Sequence, residues 1–128
     1  MGNKVFLNLS NHPSSSWNGN QLAASVCYGE ILDIPFPIVD ETADELYIES
    51  LADEYLQKIL NLVNDKEVTV HLMGELTFTF ALLKRLQKHG ILCVASTSKR
   101  IVKEESAGRK GEVIFQFERF RRYGVFDF

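Results

Sequence analysis

Residues 73–100 read MGELTFTFALLKRLQKHGILCVASTSKR, and the pattern in and just before this stretch decides the fold. The apolar run Glu67–Met73 predicts a buried strand. Leu76–His89 is predicted to be a helix that ends at Gly90, because glycine readily adopts the helix-stop conformation. Leu92–Thr97 is apolar again and predicts the next strand. A strand–helix–strand unit of this kind places two parallel strands in one sheet.

The rest of the chain extends this alternation in both directions. Strands are also predicted at Lys4–Leu9, Glu30–Ile34 and Gly111–Phe120, and helices at Asn20–Cys27 and from a Ser50 cap that follows an acidic connection. The charged turn Lys103–Lys110 is short, so the last strand should pair antiparallel with the fourth. We therefore predict one α/β domain over residues 1–128, a Rossmann-like three-layer sandwich. Its sheet is mainly parallel, with the first, third and fourth strands central and an antiparallel C-terminal edge strand.

Composition narrows the function classes. The formal net charge of −3 gives no signal for binding long nucleic acids. No segment approaches the roughly 18 consecutive apolar residues of a membrane helix, and the first residues lack a signal-peptide pattern, so we expect a cytoplasmic protein with no membrane partner. Cys27 and Cys93 are far apart and form no metal-binding spacing, so no metal or other cofactor is expected.

Polar stretches follow each of the three predicted central strands. They are Ser10-Asn11-His12, then Gly74-Glu75 with Thr77, and finally Thr97-Ser98-Lys99-Arg100. In open α/β sheets, ligands bind beyond the carboxyl ends of the strands. We therefore expect these three stretches to form one ligand site at a common rim of the sheet.

The turn after the third strand has two interpretations. Gly74 could let an anion approach the first turn of the following helix closely, or it could simply make a tight turn. Glu75 would repel a phosphate there, and Thr77 could face a ligand or cap the helix. Neither a dinucleotide-binding glycine motif nor a P-loop is present in the sequence.

The other two stretches offer candidates for catalysis and stacking. His12 could act as a general acid or base, and Trp17 could stack on a base or pack down as a lid. Lys99 and Arg100, after the hydroxyls of Thr97 and Ser98, could clamp a phosphate or could mark a solvated strand end. His71 and His89 lie in a predicted strand and helix, and neither is a persuasive ligand.

The C-terminal stretch FQFERFRRY, residues 115–123, interleaves aromatic and basic side chains. It could be a basic nucleic-acid surface, an edge strand protected by charge, or a dimer interface. The sequence leaves these three readings open.

Three stretches together resemble a known family. NLSNHPSSSWNGNQ (residues 8–21), GELTFTFALLKRLQKHGILCVASTSKR (74–100) and FQFERFRRY (115–123) are similar to the small Rossmann-like CRISPR-associated proteins of type III systems, which are relatives of the CARF domain. The resemblance implies a homodimer that binds a cyclic oligoadenylate messenger across its two-fold axis. Several such proteins are ring nucleases that need no metal and position each ribose 2′-hydroxyl in line with its phosphate. Others only bind the messenger.

In CARF-like domains the ligand contacts come from the loop after the first strand and from a glycine-containing turn. Here those positions match Ser10, Asn11 and His12, and Gly74, Glu75 and Thr77, although Glu75 departs from the commoner Gly-Gly-Thr turn. Cleavage would use Lys99 or Arg100 to stabilise the phosphorane and His12 to move the proton. Two other functions stay open: a non-catalytic module that acts as a sponge, sensor or protein-docking surface, and a Rossmann-like enzyme of unknown small-molecule substrate.

Overall fold

A computed structural model describes residues 3–103 and 111–126 and has the α/β architecture that the sequence predicts. The strands are β1 (Lys4–Ser10), β2 (Glu30–Pro35), β3 (Glu67–Met73), β4 (Leu92–Lys103) and β5 (Glu112–Arg122), and the helices are α1 (Gly19–Ser25), α2 (Glu45–Val63) and α3 (Leu76–Lys88). The sheet order is β2-β1-β3-β4-β5. β1 to β4 are parallel and β5 is antiparallel to β4, so the predicted fold class is confirmed.

Two apolar clusters place the helices on opposite faces of the sheet. Leu7 and Leu9 of β1 pack with the buried sides of α2 and α3. Phe6, which precedes Leu7 in the strand, packs instead with Trp17 and with aromatic residues of β5, and Ala24 of α1 packs against this second cluster. Because successive side chains of a strand point to opposite faces, this division produces the predicted three layers.

The strand order reverses at β1. The chain leaves β1 through α1 to reach β2 on one side, and it returns through α2 on the other face to reach β3 on the other side. Such a reversal opens a crevice at the carboxyl ends of the two diverging strands, here β1 and β3. This is the rim where the sequence predicts the ligand site.

α2 begins earlier than the sequence predicts. It starts at Glu45, and Asp44 rather than Ser50 is its cap, accepting a hydrogen bond from the Tyr47 backbone N–H at 3.2 Å. Aspartate caps a helix as well as serine does, and the predicted start was wrong because Asp44 was counted as part of an acidic connection. Leu62, near the end of α2, is 51% exposed.

β4 is longer than predicted, which moves part of the expected site. It continues past Thr97 to Lys103, because antiparallel β5 supplies partners along its whole length. The register shifts between Thr97 and Ser98, leaving Glu118 of β5 as the extra residue of a bulge. Apart from Lys103, the predicted charged turn lies outside the described residues.

Candidate functional site

A cleft of about 630 Å³ opens at the carboxyl ends of β1 and β3, on the face covered by α1. Its lining includes six of the predicted site residues: Ser10, Asn11, His12, Trp17, Gly74 and Ser98. All of the first predicted stretch therefore meets one residue of the second, Gly74, and one of the third, Ser98, at this rim. The lining also includes Ser96 of β4 and Phe115 and Phe117 of β5.

A row of polar side chains crosses the sheet beneath this cleft. Asp33, Asn8 and His71 occupy paired positions on β2, β1 and β3. The Asn8 Nδ2 donates to Asp33 Oδ1 at 2.8 Å, and the Asn8 Oδ1 lies 2.8 Å from His71 Nδ1. Asn8 and His71 are both almost fully buried. The donors and acceptors of such a row must hydrogen-bond to other groups of the protein, because a buried polar group without a partner costs free energy.

The hydrogen bonds of Asn8 determine the tautomer of His71. The Asn8 amide nitrogen donates both to Asp33 and to the carbonyl oxygen of His12, and both of these atoms can only accept. The Asn8 Oδ1 must therefore face His71, so the neutral imidazole carries its proton on Nδ1. The His71 Nε2 is left with a lone pair, and it has no hydrogen-bond partner although it is buried.

The environment keeps His71 neutral. Burial, with a smaller contribution from His12, lowers the pKa of His71 from 6.5 to about 4. Partial burial acts to raise the pKa of Asp33, but hydrogen bonds from Ser14 and Asn8 outweigh it and leave that pKa below its usual value. Near neutral pH the row therefore runs from a carboxylate through an amide to an uncharged imidazole.

Trp17 forms one side of the cleft floor. Its ring lies perpendicular to that of His71, with the ring centroids 5.5 Å apart, and it also packs near Phe6 and Phe120. The side chain is buried, as the lid interpretation predicted, yet it also lines the cleft. Among the described residues, the Trp17 Nε1–H has no hydrogen-bond partner. A donor and an acceptor without partners thus belong to two rings that contact each other.

The loop after β1 is held by the same row. The Ser10 hydroxyl lies within hydrogen-bond distance of Asn8 Oδ1, at 2.9 Å, and of the His12 carbonyl oxygen, at 3.1 Å. Ser14 donates from its hydroxyl to Asp33 Oδ2 at 2.6 Å. These bonds fix the backbone of the loop and present the side chains of Asn11 and His12 to the cleft.

Gly74 is explained by packing. A Cβ atom at this position would collide with the ring of Phe36, which follows β2. The glycine therefore allows the close approach of an aromatic ring to the β3–α3 turn.

Glu75 and Thr77 lie outside the cleft and line a different groove, between residues 39–49 and α3. Glu75 is the N-cap of α3: its carboxylate accepts from the Phe78 backbone N–H at 2.7 Å and from the Thr77 hydroxyl at 2.7 Å. The Phe78 bond is the main reason that the pKa of Glu75 is lowered. The protein's own carboxylate thus occupies the helix terminus where the sequence suggested an anion.

The predicted cation clamp is divided between the two faces of β4. Thr97 and Lys99 alternate with Ser98 and so lie on the face away from the cleft. Arg100 is paired with Phe115, which lines the cleft, so it lies on the cleft face but toward the outer end of the strand. None of the described residues that line the cleft is a lysine or an arginine.

Sequence reasoning missed the polar row, although the sequence contains its signal. Asn8 and Ser10 alternate with leucines in β1, and Thr69 and His71 alternate with valine and leucine in β3. Polar residues at every second position of two central strands put one polar strip on one face of the sheet. That signal would have selected His71 instead of setting it aside as a strand residue.

In the parts of the chain that the structure describes, no group of three or more His, Cys, Asp or Glu side chains could hold a metal ion. Within the same residues, no helix is long and apolar enough to cross a membrane.

A family model matches residues 4–121, a range that contains every residue lining the cleft. The chain belongs to the uncharacterized protein MJ1673 family. This description names no substrate or activity. No curated protein matches the chain significantly.

Proposed function

We propose that this member of the MJ1673 family binds a cyclic oligoadenylate in the cleft at the ends of β1 and β3. The observation that carries the proposal is the meeting, in one cleft at the reversal of strand order, of the loop after β1 with the β3–α3 turn. These are the two segments to which the sequence resemblance assigns ligand contacts. The order of the sheet makes the same place the expected ligand crevice.

The volume of the cleft is consistent with a site in which one chain holds only part of the ring. About 630 Å³ falls within the range of roughly 300–1,000 Å³ that holds one drug-sized ligand. A ring of several adenylates exceeds that size, so two copies of the chain related by a two-fold axis would each hold part of it. A homodimer would match a symmetric ring with two identical clefts.

The lining chemistry supports a nucleotide whose base is read by neutral groups. Trp17, Phe115 and Phe117 offer aromatic surface for a base, and Phe115 is 69% exposed at the mouth of the cleft. Ser10, Asn11 and Ser98 offer neutral hydrogen-bonding groups for ribose and phosphate. Arg100 lies on the same face of β4 but outside the lining, and it is the cation that we propose meets a phosphate.

Cleavage of the ring is the finer part of the proposal. His12 lines the cleft and is the predicted site residue that could accept a proton from a ribose 2′-hydroxyl. Lys99 lies on the other face, so any stabilisation of charge at phosphorus would come from Arg100 or from neutral donors. If the protein cleaves the ring, we expect cleavage to continue in EDTA.

Trp17 provides the binding assay, since it is the one tryptophan of the sequence and lines the cleft. We expect its fluorescence to change saturably on titration with cyclic tri-, tetra- or hexa-adenylate. Asn11→Ala should weaken binding, whereas the control Thr77→Ala, in the other groove, should not. Absence of any response, by fluorescence and by calorimetry, to all three rings would overturn the proposal.

One observation favours the protein-docking alternative. β5 is one of the two edge strands of the described sheet, and it exposes Phe115 together with Val113, which is 43% exposed. An added strand from a protein partner could pair with such an edge. This function becomes the leading one if no cyclic oligoadenylate binds and substitution of Phe115 abolishes capture of a specific protein partner.

A further inference from the structure

Two buried polar atoms at the cleft floor have no hydrogen-bond partner, and they are complementary. The Nε1 of Trp17 can only donate, and the Nε2 of His71 can only accept once Nδ1 carries the proton. Each unpaired buried group costs free energy, so proteins rarely leave one without a use. Two such atoms, in perpendicular rings with centroids 5.5 Å apart, point to a ligand group that both accepts and donates.

We propose that Trp17 Nε1 and His71 Nε2 together bind the adenine base, with His71 accepting from the exocyclic amine and Trp17 donating to an adjacent ring nitrogen. The inference rests on the proposed function in taking the base to be adenine. On its N7 edge adenine presents the amine donor beside the N7 acceptor, whereas guanine and hypoxanthine present two acceptors there, O6 and N7. A carbonyl would place an acceptor against the lone pair of His71.

The polar row next to His71 keeps its Nε2 atom an acceptor by holding the imidazole in one tautomer. Asp33 and the His12 carbonyl hold the amide of Asn8 in one orientation, and Asn8 in turn holds the Nδ1–H of His71. The imidazole therefore cannot change tautomer and offer a donor without breaking a buried hydrogen bond. Burial also keeps it uncharged near neutral pH. The floor of the cleft is thus preorganised to accept, which is the property that selects an amine.

The two atoms are almost fully shielded by surrounding side chains, so binding must alter the packing around them. Trp17 follows the short helical turn Ser14–Ser16 and precedes α1, so it lies on a connecting segment and not within the sheet. A shift of Trp17 would change its ring contacts with Phe6 and Phe120 but would not separate two paired strands. This is the physical reason to expect a fluorescence change when a base enters.

The test uses calorimetry to measure the affinity of matched variants for two pairs of ligands. The first pair is cyclic tetra-adenylate and its inosine counterpart, and the second pair is AMP and IMP. His71→Asn keeps a donor near the position of Nδ1 for Asn8 but removes the Nε2 acceptor. Trp17→Phe keeps an aromatic ring but removes the donor. His89→Asn makes the same exchange at an exposed histidine outside the cleft. Thermal unfolding confirms that each variant is folded. If His71→Asn fails to fold, the affinity of Trp17→Phe for adenine ligands decides.

We expect the wild-type protein and the His89→Asn control to prefer adenine over hypoxanthine by about tenfold. His71→Asn and Trp17→Phe should each bind adenine ligands about tenfold more weakly. The preference over hypoxanthine should fall to about one in His71→Asn, which loses the acceptor that selects the amine. It should persist in Trp17→Phe, because the ring nitrogen that accepts from Trp17 is present in both bases. A merely structural role for His71 would lower affinity for both bases and leave the preference intact.

The outcomes separate this inference from the proposed function. If the ring binds and His71→Asn retains the wild-type preference, the base contact is overturned and ring binding stands. Wild-type affinity of Trp17→Phe for adenine ligands also overturns the paired contact. If AMP binds with the expected preference but no ring binds, the base contact stands and the proposed function fails. If neither AMP nor the ring binds, both are overturned.

Discussion

Asn8 is the residue on which the cleft floor depends. Its amide nitrogen is shared between Asp33 and the His12 carbonyl, and its oxygen faces His71 and Ser10. One buried side chain thus connects three strands to the loop that lines the cleft. Networks of this kind are costly when half satisfied, so their members act on stability and on the site together.

Stability should depend on pH through His71. The pKa of His71 is lowered from 6.5 to about 4 by burial, so between these values the unfolded chain binds more protons at this position than the folded protein. The free energy of unfolding should therefore be at its full value above pH 6.5 and fall as the pH drops toward 4, by about 3 kcal/mol at most. Urea unfolding at a series of pH values measures this slope. A His71→Asn protein should lose it, and parallel profiles for the two proteins would contradict the account.

Gly74 should be intolerant of a side chain. We expect Gly74→Ala to lower the free energy of unfolding by roughly 1–3 kcal/mol, because its Cβ would collide with the ring of Phe36. Gly19→Ala is the matched control, since a Cβ at the start of α1 meets nothing within 4 Å. Chemical denaturation of both variants checks this. Equal stability of the two would show that Phe36 does not require the glycine.

At the scale of elements, a substitution at the beginning of α3 can distinguish a capping residue from a ligand-binding residue. Glu75 was a candidate ligand residue in the sequence, and the structure gives it a hydrogen bond to the Phe78 backbone N–H. We expect Glu75→Ala to destabilise the protein by about 1 kcal/mol, as the loss of a cap does, and to leave ring affinity unchanged. Glu41→Ala, at an exposed acid in the same groove, should change neither quantity. Lost affinity with unchanged stability would instead assign Glu75 to the ligand.

The sequence predicted elements well where their own side chains decide them. β1 and β3 are apolar runs, and the left-handed φ of 72° at Gly90 ends the helix as predicted. Prediction failed where a partner decides: β4 continues past Thr97 because β5 pairs with it, and this places Lys99 on the face away from the cleft. His71 was missed because its importance comes from Asn8 beside it, in a register that periodicity alone does not reveal.

At the scale of the whole molecule, the proposed ligand site follows from the order of the strands in the sheet. The reversal of strand order at β1 creates a crevice. Among the described residues, the polar row beneath it is satisfied except at His71 Nε2, and Trp17 Nε1 beside the row is also without a partner. The family match spans the cleft. We propose that two chains share one ring, because a ring of several adenylates exceeds the cleft of about 630 Å³ in a single chain.

The most direct test of ring binding is a calorimetric titration of the purified full-length protein with cyclic tetra-adenylate, with its mass in solution measured in parallel. The account predicts saturable binding at one ring for every two chains, on a dimer. Binding of one ring to each chain would contradict the shared two-fold site. Absence of binding to this ring and to the tri- and hexa-adenylate rings would contradict the central claim itself.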